Sequence, residues 1–162
     1  TIPETENTDL YKALVLGFDS VCSWLAREIV RGGEGATKLA TVTVTGAASD
    51  QEAQRVARLI ANSPLVKTAL HGEDPNWGRI VAVAGRSGVA FDQAKTEVRI
   101  GSTTLFANAT VMAEQETLAA AHLAGDEVEL SIDLGTGGSG TARMWTCDLS
   151  AEYVHINADY RT

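Results

Sequence analysis

"VRGGEGATKL", residues 30–39, sets three glycines, a carboxylate, a threonine and a lysine between two apolar runs. The order of the elements on either side decides both the fold and what this loop can hold. A phosphate loop follows a strand and opens a helix, because the helix N-terminus supplies the free N–H groups and the positive dipole end. Here the order is reversed. Upstream, Leu10, Leu14, Val21, Leu25 and Ile29 recur at steps of three to four residues, with Phe18 and Cys22 filling the same stripe, which predicts a helix capped by Thr8 or Asn7. Downstream, residues 38–46 alternate bulky and polar side chains and are rich in β-branched ones, which predicts a half-buried strand. The loop therefore sits at a helix C-terminus, where the dipole is negative. Glu34 would repel a phosphate further, and Thr37-Lys38 runs opposite to the Lys-Ser/Thr order of a phosphate loop. Gly32 and Gly33 read as C-terminal caps and Gly35 as a turn glycine. Capping leaves Glu34 and Lys38 unexplained.

Working outward, 162 residues with 44% hydrophobic and 21% charged side chains suffice for one compact domain over residues 1–162. The excess of 21 acidic over 13 basic residues, net −8, speaks against nucleic acid, whose binding needs a basic face. Cys22 and Cys147 have neither metal-ligand spacing nor the count of a disulfide framework, so free, buried thiols in a reducing compartment are expected. No apolar run reaches membrane-spanning length and no leader pattern opens the chain, so no membrane partner is expected. The opening "TIPETENTD" is polar, carries Pro3 and lacks an initiator methionine. It reads as the start of a processed or truncated product.

Beyond the first strand, Ser49 and Glu52 form a capping box ahead of a second helix ending near Asn62. Pro64 opens a third helix over residues 63–70, and residues 71–79 form a break rich in Gly, Pro, Asn and Asp. The apolar run "IVAVAG", residues 80–85, predicts a central strand. Residues 97–101 and 103–110 predict a hairpin about Gly101-Ser102, and residues 115–125 a short helix. Residues 126–135 alternate as a strand. "GTGGSGT", residues 135–141, then reads as a hairpin loop whose return strand spans residues 142–149. Ser150 caps a final helix, whose hydrogen-bonding side chains suggest a docked terminus. The sum is α+β, a mostly antiparallel sheet covered by helices.

His71, His122 and His155 lack metal-binding spacing, so no metal is expected. No serine lies in a Gly-x-Ser-x-Gly elbow. Arg79 can pair with Asp74 or Glu73. Thr1 at a chain start could act as nucleophile with its own amine as base, but Pro3 and the polar text after it offer no rigid, buried element for that work.

Three stretches, residues 30–39, 63–79 ("SPLVKTALHGEDPNWGR") and 144–162 ("MWTCDLSAEYVHINADYRT"), closely resemble the C-terminal part of the ornithine acetyltransferase family, the bifunctional glutamate N-acetyltransferases of arginine biosynthesis. The resemblance spans essentially the whole chain. It implies an αββα sandwich of the N-terminal-nucleophile-like aminopeptidase type. It also implies a precursor that cleaves itself before a threonine, which then carries acetyl from N-acetylornithine to glutamate. The apolar Thr-Met-Leu start and the Ser-Thr-Asn-Asp motif of the family's β chain are absent here. The resemblance therefore places the nucleophile upstream and argues against Thr1 in that role; it also assigns the oxyanion donors to the α chain, so this piece alone is expected to be inactive. Three substrate-binding residues carry over, Glu34, Asn157 and Thr162. A carboxylate suits the α-ammonium of an amino acid through charge-assisted hydrogen bonds. Lys38 and Arg79 are pairing groups without an assigned substrate contact. The implied partners are the α chain and the N-terminal part of the β chain, in a heterotetramer or larger assembly, in the cytoplasm. No cofactor is implied, with acetyl-CoA as an optional co-substrate. Two alternatives stay open, a noncatalytic assembly module of the same enzyme and a relative acting in secondary metabolism.

Overall fold

The computed structural model describes residues 8–159. Thr8 caps α1 (Asp9–Arg31), its hydroxyl accepting the Tyr11 N–H. β1 (Leu39–Ala47) follows, then α2 (Asp50–Ala61), α3 (Pro64–His71) and α4 (Trp77–Gly85). The second half holds β2 (Glu97–Ile100), β3 (Thr103–Ala107), β4 (Thr110–Val111), α5 (Glu116–Leu123), β5 (Glu127–Asp133), β6 (Gly140–Cys147) and α6 (Ala151–Asp159). The six strands form one sheet in the order β4-β3-β2-β5-β1-β6. Only β1 and β5 pair in parallel; the other neighbours are antiparallel. The α+β reading and the mostly antiparallel sheet hold.

Alternation along the central strands sorts the two faces. Ala40, Val42 and Val44 of β1 and Val128, Leu130 and Ile132 of β5 are buried and meet Val56 and Ile60 of α2, Ile80 and Val83 of α4 and Leu123 of α5 in one core. Each such Val, Leu or Ile side chain contributes about 1.5–3 kcal/mol by leaving water. The other face presents Thr41, Thr43, Glu129, Ser131, Arg143 and Trp145 around an open depression of about 510 Å³. The described residues thus supply one sheet and a helical layer on one of its faces.

Residues 80–85 are the largest departure from the expected elements: they form the body of α4, not a central strand. Asn76 accepts the Arg79 N–H at the helix start, and Ile80, Val83 and Ala84 turn one helical face inward. A six-residue apolar run carries no period that separates a buried strand from a buried helix, and the Asn cap decides it. Trp77, in the first turn, stacks on Phe106 with ring centroids 4.7 Å apart.

Three smaller corrections have local causes. Residues 103–110 do not make one strand, because Asn108 and Ala109 take positive φ values of 49° and 56° and turn β3 back into β4. Residues 135–141 do not join a hairpin, since β5 and β6 lie on opposite sides of β1. Instead the loop hugs the end of β1: Thr136 Oγ1 donates to the Gly46 carbonyl at 2.6 Å, and Gly138 lies so close to the Ala47 carbonyl that a side chain has no room. The capping box at α2 is half formed, with the Glu52 N–H donating to Ser49 Oγ while Glu52 Oε2 has no partner.

The thiols also differ from expectation. Cys22 is exposed, because α1 has no buried residue along its 23, and Cys147, at the end of β6, is only partly covered. Likewise α6 buries no residue, so the docked terminus reduces, among the described residues, to the few contacts described next.

Candidate substrate-binding site

The loop between α1 and β1 turns in two steps. Gly32 donates to the Glu28 carbonyl, Gly33 to that of Val30, and Ala36 back to that of Gly33. Gly32 closes the helix with φ −81°, so it ends α1 without the left-handed geometry of a glycine cap. Gly35 does take that geometry, at φ +66°. A Cβ there would stand 2.5 Å from the Tyr153 N and 2.9 Å from Ser150 Oγ. The requirement for glycine is therefore both conformational and steric, because the start of α6 lies directly against this peptide.

Glu34, one residue earlier, is exposed. Its Oε2 accepts a hydrogen bond from Asn157 Nδ2 at 2.9 Å, across 123 residues of sequence. Asn157 is steadied in turn by donating to the Tyr153 carbonyl one helical turn earlier, also at 2.9 Å. Two of the three expected binding residues thus meet on the surface. The third, Thr162, lies outside the described residues, as does Thr1. A carboxylate with one oxygen held by an amide N–H keeps acceptor capacity for a cationic donor. Neither Glu34 nor Asn157 lines the depression on the open sheet face.

Lys38 and Arg79 are occupied elsewhere. The Lys38 side chain is 8% exposed; its Nζ donates to the Leu123 carbonyl at 2.7 Å and pairs with Glu73 at 3.2 Å, so it anchors the end of α5 to the start of β1. Arg79 donates to the Leu65 carbonyl at 2.7 Å and reaches Asp74 at 3.8 Å. Among the described residues no group of three His, Cys, Asp or Glu gathers in a metal-binding arrangement.

One residue of the site escaped the sequence reading. Asp148 follows the last residue of β6, and its side chain is wholly buried. Its Oδ1 accepts the Thr37 N–H at 2.8 Å and the Lys38 N–H at 2.9 Å, while Oδ2 accepts the Thr37 hydroxyl at 2.7 Å. His71 Nδ1 lies 2.8 Å from the same Oδ2. Burial alone would push this carboxyl up, but the Thr37 hydroxyl and amide, His71 and the Lys38 amide outweigh burial and hold it below the ordinary carboxylate range. Ser150, recognised as a cap, does two things: its Oγ accepts the Tyr153 N–H and donates to the Gly35 carbonyl at 2.6 Å. The only local sign of Asp148 was a carboxylate near the end of the expected strand over residues 142–149, two residues before the capping serine.

Comparison with known proteins adds the family. The model of the ArgJ family matches residues 3–162. The chain is 46% identical to the arginine biosynthesis bifunctional protein ArgJ of Zymomonas mobilis over 88% of its length, covering 35% of that protein. It is 44% identical to the protein of the same name from Gluconobacter oxydans over 99% of its length, covering 38% of that one. A crystal structure of the arginine biosynthesis bifunctional protein argJ from Bacillus halodurans superposes with a TM-score of 0.91 at 42% identity, over 96% of this chain and 73% of that one. The chain spans little more than a third of the length of these curated relatives.

Proposed function

The chain belongs to the ArgJ family, and from that premise we propose that it is the substrate-binding portion of an acetyltransferase that moves acetyl from N-acetylornithine to glutamate. The acetyl passes through a threonine ester whose threonine lies outside this chain, after self-cleavage of a precursor. Acetyl-CoA serves as an additional donor in the bifunctional form, and no other cofactor takes part. The names of the relatives, which couple arginine biosynthesis with two functions, support this reading.

The observation that carries it is the Glu34–Asn157 pair. A loop carboxylate and a C-terminal amide, remote in sequence, converge at the surface, where the carboxylate can take the α-ammonium of an amino acid and the amide can orient it. Thr162 completes this subsite in the proposal. The chain acts with the α chain and the N-terminal part of the β chain, as a heterotetramer or larger, in the cytoplasm. Among the described residues no helix is long and apolar enough to cross a membrane.

A second reading, a module that only holds the rest of the enzyme together, is favoured by one feature, the bare apolar stripe of α1. The two separate in the full-length enzyme carrying Glu34→Ala, assayed for acetyl transfer from N-acetylornithine to glutamate. A rise in KM of at least tenfold, about 1.4 kcal/mol of lost binding, is expected. Unchanged kinetics would remove Glu34 from recognition and leave the assembly role.

A further inference from the structure

Glu34 is exposed and its loop belongs to no helix or strand, yet a carboxylate that receives an ammonium group must stand in one place. What holds it lies beneath. Residues 36–38 run past the end of β6, and there Asp148 gathers three donors from Thr37 and Lys38 and one from His71. Two residues further on, Ser150 takes the Gly35 carbonyl. Nine residues beyond Asp148, on the helix that Ser150 caps, comes Asn157. Both halves of the pair are therefore tied to one short segment at the end of β6, which pairs with β1 at one side of the sheet.

We propose that Asp148 is a positioning residue for the Glu34 subsite, with His71 as the group that orients its carboxylate. The inference rests on the substrate-binding reading of Glu34 given above. Asp148 touches no substrate; it acts by limiting the loop to the conformation that presents Glu34 to Asn157. A charge buried this completely is costly unless its lone pairs are filled, and four donors fill them. The same donors make the loop backbone dependent on the charge. In Asp148→Asn the amide oxygen would still accept the two N–H groups, but the amide nitrogen cannot accept from Thr37 Oγ1 or His71.

The test uses the full-length enzyme with Asp148→Asn, His71→Ala, His71→Asn, Glu34→Gln and the Asp148→Asn/Glu34→Gln double variant. Two quantities are read, amide hydrogen exchange across residues 33–38 and the steady-state constants for glutamate, the substrate whose α-amino group is free. Expected in Asp148→Asn are faster exchange in that segment and a KM raised about tenfold with kcat nearly unchanged, because apparent affinity falls with the fraction of competent loop. The double variant should have the KM of Glu34→Gln alone, since both changes act through one carboxylate. His71→Ala, which removes one donor at a half-exposed position and keeps the chain folded if Asp148→Asn does not, should shift both readouts in the same direction by about threefold. His71→Asn, whose amide can replace the Nδ1 donor, should restore them. Unchanged exchange, a fall in kcat with KM unmoved, or multiplied KM effects in the double variant would overturn the proposal. An unmutated enzyme inactive on both substrates, with exchange still raised in Asp148→Asn, would fell the acetyl-transfer reading and leave the clasp standing.

Discussion

Helices α1 and α2 carry the same kind of apolar stripe and meet opposite fates. In α2, Ala53, Val56, Ala57, Ile60 and Ala61 are buried against β1 and β6. In α1, nearly twice as long, none is, and Ile29 remains 76% exposed. What holds α1 is polar and local: Arg27 and Arg31 reach Glu127 at the start of β5, at 2.8 and 2.5 Å, and the loop at its end is bound through Asp148. Periodicity therefore tells that a helix forms and which side is apolar, and is silent on what covers that side.

The contrast can be broken by mutation. Ile60→Ala, at a fully buried site, should cost about 2–5 kcal/mol in urea unfolding of this chain. Lowering the pH tests the link between the loop and the sheet next. The folded Asp148 has a pKa below its unfolded one, so its stabilising contribution is in force above about pH 4 and is lost as pH falls through the folded value. Exchange at residues 36–38 should accelerate there, and Asp148→Asn should remove that acid step. An acid step that survives the substitution would assign it to another carboxylate.

Salt bears on α1 itself. Its ion pairs with Glu127 are exposed, so exchange in the last turns of α1 should rise between low and molar salt, and Glu127→Gln should flatten that dependence. The smallest effect belongs to Leu25→Ala on the bare stripe, within about 0.5 kcal/mol in this chain. A loss as large as that of Ile60→Ala would mean that a second molecule already covers α1 in solution.

Much of the architecture was legible because it is decided within a few residues. Thr8, Ser49 and Ser150 each accept a backbone N–H three residues ahead, and Pro64 opens α3. The Gly101-Ser102 turn joins β2 and β3, with Gly101 at φ +59°. Residues 80–85 were not legible, since their composition suits a buried strand as well as a buried helix and the choice fell to Asn76. The glycines of residues 135–140 announced a turn without saying which strand would follow on which side of β1. Glu34 and Asn157 were legible only through their family motifs; no local pattern links them.

From the chain alone came the helix-then-strand order around residues 30–39, and with it the rejection of phosphate and the isolation of Glu34 as a carboxylate needing a purpose. Tertiary structure decided the rest: that β6 pairs with β1 on the side opposite β5, that Lys38 is spent on Glu73 and the Leu123 carbonyl, that α1 stays bare, and that Asp148 gathers Thr37 and His71 from 111 and 77 residues away. The reason is range. Caps and turns close over three or four residues and are encoded where they act, whereas contacts across a hundred residues exist only once the sheet has brought their elements together.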